Sequence, residues 1–395
     1  MRARELGVEI GPLASGPADA ITDVGGVRVG HTTLIESDDV RTGVTVVLPH
    51  GGNPGSDPVF AGCHTLNGRG ELTGLEWVRE SGLLSTPAGL TNTCSVGVVR
   101  DALIAADLTD ELPVVGETWD GSLNDIRGMH VRAEHVYAAL AEAAGEPEGA
   151  AVAEGAVGGG TGMVCHGFKG GIGTASRVVA EEDSGYTVGV LVQANHGRRG
   201  RLRVDGLPVG ELIGDAEIPL PRPRQQAPTS SSIIVVVATD APLLPGQCAR
   251  LAQRAGFGIA RTGGAGEHTS GDFVLAFATG NRGLGSHEHE LAVRTVADHR
   301  LTPMFYAVID ATEEAILNAM LAARTMTGNG SIISALTAEA LADAMTRLGR
   351  PPSVGWRCGA GRLTPIAESA PGQGGAGIES RPTRWGVRGV RGAKR

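Results

Sequence analysis

The sequence predicts an α+β protein in which sheet packs on sheet and helices cover the outside. Three observations carry that expectation. Residues 233–237 are an unbroken β-branched run, the pattern of a strand buried on both faces, and residues 44–48, 186–194 and 273–277 read as further strands. Between such runs lie segments with apolar residues at helical spacing, which belongs to helices on outer layers. Aromatic residues are only 3% of the 395, whereas glycine numbers 61, so the core has to be built from Val, Leu, Ile and Ala.

In chain order, Val27-Arg28-Val29 reads as a short strand closing at Gly30-His31, and residues 44–48 as the next, followed by a long turn through Gly51, Gly52, Pro54 and Gly55. Leu75 and Val78, three apart, predict a short amphipathic helix ended by Gly82. Residues 94–99 read as a strand running into a helix through Leu103 and Ala106, and residues 116–126 as a polar, irregular loop. Val136, Ala139, Leu140 and Ala143 place a helix over 131–144. Two glycine-rich stretches, 158–162 and 170–173, lack a following Gly-Lys-Ser/Thr and are not read as phosphate loops. Residues 186–194 form a strand ending at Asn195-His196-Gly197, residues 200–206 a hairpin return, and 221–229 a charged, Pro-rich loop. After the strand at 233–237, a turn with Pro245 opens a helix that carries Cys248 inward. The longest helix is expected over 312–326 and a shorter one over 337–348. Residues 1–350 read as one domain. From Pro351 onward the pattern dissolves into Pro, Gly and Arg, so 351–395 is expected to be a mobile tail.

A net charge of −9 and a pI near 5.7 argue against a nucleic-acid or anionic-membrane surface and favour a small-molecule partner. Five widely spaced cysteines with no Cys-x-x-Cys predict neither a disulfide framework nor a zinc site, and no metal or cofactor is expected. With no secretory h-region in the first twenty residues and no apolar run long enough to cross a membrane, the expected location is the cytoplasm.

The chemistry converges on Ser230-Ser231-Ser232, where the polar loop delivers hydroxyls to the first residues of a rigid strand. This suits an N-terminal nucleophile, whose peptide bond is cut so that its new α-amine serves as base. Ser270 and Asp272, two apart in an extended segment, point the same way and could form a hydrogen-bond chain from Asp272 through Ser270 toward Ser232. Asn195, ending a strand, offers a neutral N–H donor of the kind an oxyanion hole requires.

These residues resemble the family of L-aminopeptidase/D-esterases and β-aminopeptidases, the P1 peptidases. The resemblance rests on Ser232-Ile233-Ile234-Val235 with Ala238-Thr239-Asp240-Ala241-Pro242-Leu243, on Ser270-Gly271-Asp272-Phe273, on Leu123-Asn124-Asp125-Ile126 and on Val192-Gln193-Ala194-Asn195. The segments 167–177 and 313–320 add to it, and together the blocks cover about residues 18 to 350. The resemblance implies a four-layer αββα sandwich similar to the Ntn hydrolases but differently connected. It also implies self-cleavage between Ser231 and Ser232 into 1–231 and 232–350, and a homo-oligomer, expected as a tetramer. Ser232 would be nucleophile and new N-terminus, Ser270 and Asp272 its partners, Asn195 an oxyanion donor, and Glu117 and Trp119 substrate-binding residues. Trp119 stands where relatives are expected to carry Tyr, and Ser231 where they are expected to carry Gly or Asn. The activity implied is that of a self-processing serine aminopeptidase or amidase releasing small N-terminal residues from peptides, amides or esters. An acyltransferase of the ornithine acetyltransferase type, which is expected to use a Thr nucleophile, and a non-catalytic ligand-binding protein on the same fold are the alternatives.

Overall fold

The computed structural model of the chain describes residues 1–106, 111–183, 185–221, 231–353, 356–359 and 362–365. In chain order the strands are β1 (Arg28–Glu36), β2 (Val40–Leu48), β3 (Val59–Gly68), β4 (Leu83–Leu84), β5 (Ala88–Asn92), β6 (Val114–Thr118), the short pair β7 (Val164–Cys165) and β8 (Phe168–Lys169), β9 (Gly171–Val178), β10 (Thr187–Asn195), β11 (Ser231–Thr239), β12 (Ser270–Ala278), and the hairpins β13 (Met326–Gly328) with β14 (Ser331–Ile333) and β15 (Trp356–Gly359) with β16 (Arg362–Pro365). The helices are α1 (Leu75–Ser81), α2 (Val96–Ala105), α3 (Ala133–Gly145), α4 (Pro245–Arg261), α5 (Thr302–Leu321) and α6 (Ala338–Arg347).

Two mixed sheets stack. One has four strands in the order β1-β2-β5-β6, the other six in the order β4-β3-β12-β11-β10-β9. Alternation along β11 shows how the layers form. Ile234, Val236 and Ala238 point between the sheets, where they meet Val29, Val47, Leu90 and Val114 of the smaller sheet. Ile233, Val235 and Val237 point the other way, onto Leu251, Ala255, Ala311 and Ala315 of α4 and α5. A third cluster packs Val96, Val99, Leu103, Val136 and Ala139 of α2 and α3 against Val44, Val46 and Val115 on the outer face of the smaller sheet. The result is an αββα sandwich, and β11 at its centre is buried on both sides as the β-branched run predicts. Removing each such Ile or Val from water contributes about 1.5–3 kcal/mol. Part of the glycine excess serves this layering: a Cβ on Gly173 of β9 would lie 1.9 Å from the Ala315 carbonyl oxygen, so α5 rests directly on the sheet.

Several expectations are corrected. Residues 94–99 are not a strand. Thr93–Ser95 is a 3₁₀ turn capped by the Asn92 side chain, and α2 follows at once. The β-branched Val96, Val98 and Val99 mimic a strand, yet Val96 and Val99 sit three apart on a helix face that packs on the sheet. The longest helix begins ten residues early, at Thr302, with Pro303 in its first turn, and stops at Leu321. The strand begun at Val27-Arg28-Val29 continues to Glu36 because it pairs with β2 along its whole length. In the return at 200–206 the only pairing among the described residues is a single bridge between Val204 and Leu207. The glycines Gly158–Gly160 form a 3₁₀ turn under the smaller sheet, where Gly159 N–H donates to Thr45 Oγ1 at 3.1 Å. The expected Pro-rich loop after Pro221 and most of the expected tail lie outside the described residues. Within that tail, β15 and β16 pair as an antiparallel hairpin.

Candidate active site

The site lies where one end of β10, β11 and β12, three neighbouring interior strands of the larger sheet, meet side by side. Antiparallel pairing sets Asn195 opposite Ser232, and parallel pairing sets Ser231 opposite Ser270, Ser232 opposite Gly271 and Ile233 opposite Asp272. Sequence segments about forty residues apart thus meet through strand register alone. Ser232 shares the inter-sheet face with Ile234, while Ser231, Ser270 and Asp272 share the helix-covered face with Ile233 and Val274.

Ser232 Oγ donates to its own preceding carbonyl, Ser231 O, at 2.6 Å, and accepts from Gly271 N–H at 3.2 Å. Ser270 Oγ donates to Asp272 Oδ1 at 2.5 Å and lies 3.2 Å from Ser231 Oγ. The expected chain from Asp272 through Ser270 therefore exists, but it ends on Ser231 and not on Ser232. Alternation forces this, because neighbouring residues of one strand cannot share a face. Burial pushes the Asp272 carboxyl up to about 6, partly offset by hydrogen bonds from Ser270 and from the Ile233 N–H.

Asn195 is held at both ends of its amide. Oδ1 accepts from Val164 N–H at 2.7 Å, and Nδ2 donates to the Trp119 carbonyl at 3.0 Å. An amide nitrogen has two hydrogens, so one N–H stays available. Trp119 thus enters the site through its backbone.

Glu117, expected in an irregular loop, instead sits near the end of β6, buried. The strand is invisible in the polar sequence because Val114 and Val115 alone carry its apolar signal, while pairing with β5 extends it to Thr118. Its Oε1 accepts from Glu71 N–H at 3.1 Å, and its Oε2 accepts from the Thr93 hydroxyl. Burial holds this carboxyl above the usual carboxylate range, and none of the described salt bridges involves it. Gly70 lets Glu117 lie close to β12 beside the serine strand: a Cβ there would lie 2.7 Å from Glu117 Oε1 and 3.1 Å from Gly271 Cα.

Two buried groups beside the site have no signal in residue spacing. Lys169 Nζ donates to the carbonyls of Met163 (2.9 Å), Gly170 (2.8 Å) and Gly160 (3.3 Å), and burial lowers its ammonium to about 7. Asp120, fully buried, is raised to about 7 and accepts from Asn124 Nδ2 at 3.1 Å. Lys169 fastens the Gly160–Gly170 segment whose Val164 holds Asn195, and only the folded segment shows that.

A serine hydroxyl on the carbonyl of the residue before it, an amide donor opposite and a buried carboxylate form a constellation suited to acyl transfer. The sequence profile of peptidase family S58 matches residues 19–333. The chain belongs to that family. It is 49% identical over 361 residues to the beta-peptidyl aminopeptidase BapA of Sphingosinicella microcystinivorans, covering 85% of this chain and 89% of the relative. A beta-aminopeptidase structure from Burkholderia sp. superposes with a TM-score of 0.82 at 51% identity, over 89% of this chain and 100% of the other. The L-aminopeptidase D-Ala-esterase/amidase of Ochrobactrum anthropi, described as a variant of the Ntn hydrolase fold, gives 0.79 at 41% identity, over 89% and 99%. This S58 chain is a serine aminopeptidase with an Ntn-hydrolase-like αββα fold. Neither an acetyltransferase nor a binding protein is favoured by these likenesses. Among the described residues, no helix is long and apolar enough to cross a membrane.

Proposed function

We propose that this protein cuts its own chain between Ser231 and Ser232 and then removes small N-terminal residues, β-amino acids among them, from peptides and amides. The observation that carries the reading is the 2.6 Å contact between Ser232 Oγ and the Ser231 carbonyl oxygen, which sets the hydroxyl beside the bond it has to attack. Attack on that carbonyl carbon transfers the acyl group from nitrogen to oxygen, and water then hydrolyses the ester. The products are a Ser231 carboxylate and a free Ser232 amine.

The two-faced arrangement accounts for the hydrolysis of substrate after cleavage. Once Ser231 leaves, Ser270 Oγ loses its neighbour at 3.2 Å, and the new amine takes that place at the head of β11. An α-amine has an unperturbed pKa of ~7.7–8.0, so near neutral pH it accepts the Ser232 proton, and Ser270 with Asp272 orients it. The oxyanion accepts from the spare N–H of Asn195. The amine returns its proton to the leaving group, and water frees the acyl-enzyme.

Glu117 supplies the exopeptidase selection. A buried carboxylate with no cationic partner is costly, and a substrate ammonium is the cation that offsets the cost. Trp119, whose carbonyl accepts from Asn195 Nδ2, is assigned to the substrate side by the resemblance. The names of the relatives at 49% and 51% identity support a β-amino acid at the substrate N-terminus. As the resemblance implies, the processed protein is expected as a homotetramer, which light scattering reads directly.

Intact-mass analysis tests the reading. Fragments corresponding to 1–231 and 232–395 in normal protein, with one uncut chain in Ser232→Ala, support it. Cleavage of the variant at the same bond overturns it.

A further inference from the structure

On the helix-covered face, one residue past Asn195, lies a cluster that the proposed chemistry does not use. Cys165, His166 and His196 are all buried, and one ligand atom of each lies within 4.8 Å of the other two. Cys165 Sγ is 3.8 Å from His196 Nδ1. His166 Nδ1 faces the Arg198 carbonyl at 3.3 Å, which fixes the tautomer and leaves Nε2 as the free lone pair. That Nε2 is buried without a hydrogen-bond partner, and so is His196 Nε2. Two buried imidazoles with unsatisfied nitrogens, edge to face at 5.1 Å beside a thiol, are a costly arrangement for a core that only has to pack.

We propose that Cys165, His166 and His196 bind one transition-metal ion, with zinc(II) the ion best suited to a thiolate and two imidazoles. A tetrahedral metal with bonds of ~2.0–2.3 Å sets its ligands about 3.3–3.8 Å apart, so Cys165 Sγ and His196 Nδ1 at 3.8 Å are already spaced for it, and His166 closes by at most about an ångström. Binding displaces one proton, from the Cys165 thiol, while the imidazoles coordinate as neutral ligands. The site would clamp two segments that hold the oxyanion donor. Val164, next to Cys165, donates its N–H to Asn195, and His166 N–H already donates to the His196 carbonyl at 2.7 Å. The sequence hides the site because His196 is about thirty residues from His166, and only the docking of the β7 turn against the end of β10 brings them together.

Cobalt(II) is the probe. The full-length protein is produced in cobalt-supplemented medium and, separately, stripped with chelator and titrated with cobalt(II). The expected result is one cobalt per chain, tetrahedral d–d bands with a thiolate charge-transfer band, displacement by zinc, and a Tm that rises with metal concentration. Cys165→Ser should abolish the charge-transfer band, and His196→Phe should weaken binding at least about 10²-fold, the upper end of what even an outer-shell loss costs. Because the unsubstituted protein is read in both arms, misfolding of a variant leaves the test intact. Less than about a tenth of a cobalt per chain in both arms, or equal binding by a folded Cys165→Ser protein, overturns the site and leaves the peptidase reading untouched.

Discussion

The two faces of the strand ends at β10, β11 and β12 divide the work of one site. The inter-sheet face carries Ser232 and, opposite it, Asn195, whose Nδ2 donates to the Trp119 carbonyl of the facing layer. The helix-covered face carries Ser231, Ser270 and Asp272, joined by hydrogen bonds at 3.2 and 2.5 Å. In the proposed mechanism the first face meets the substrate, and the second meets the backbone that leads to Ser232. A serine whose acid partner lies behind the sheet cannot use a side-chain relay of the Ser-His-Asp kind. The group that bridges the faces has to be main chain, and in the proposed mechanism that group is the Ser232 α-amine.

Substitutions that break one face at a time should separate the two jobs. The largest effect is expected from Ser232→Ala, with neither self-cleavage nor hydrolysis and a loss of at least about 10³-fold in kcat/KM; residual processing would be read on a denaturing gel. On the same face, Asn195→Ala should lower kcat by roughly 10²–10³ and leave KM nearly unchanged, measured on protein shown to be processed.

The hidden face should show in the pH profile. With burial pushing the Asp272 carboxyl up to about 6, its carboxylate is lost as pH falls through that value and hydrolysis should fall with it. The sign for stability is opposite. A carboxyl raised from 3.8 to about 6 favours the folded state below pH 3.8, and that contribution is lost as pH rises through 6, so the chain gives up stability to keep an ionised group there. Asp272→Asn should remove the step near pH 6, leave the amine's own limb at ~7.7–8.0, and slow turnover by about 10²-fold. A step near pH 6 that survives the substitution would detach Asp272 from the amine.

The smallest effect is expected at Glu117, which touches neither reacting atom. Charge-assisted hydrogen bonds contribute about 1.5–3 kcal/mol against about 0.5–1.5 for neutral ones, so Glu117→Gln should cost roughly tenfold in kcat/KM. The normal enzyme should cleave a free-amine substrate and refuse its N-acetylated form. Equal cleavage of both would remove Glu117 from substrate selection.

The strand of Ile233 to Val237 and the helices over 133–145 and 245–261 were legible in the chain because each is a local pattern of two or three to four residues' period. Ser270 and Asp272 could be paired for the same reason, being two apart in an extended segment. What no local pattern could decide is which partner each side chain meets. Register between β11 and β12 gave Ser270 to Ser231, and pairing of β6 with β5 drew Glu117 out of an apparent loop into a strand. Docking of the β7 turn on the end of β10 tied Asn195 to Val164 and set Cys165 beside His196. Periodicity fixes which face a residue takes within its own element. The facing residue comes from segments tens of positions away, and it is chosen by strand register and layer packing, which only the folded chain supplies.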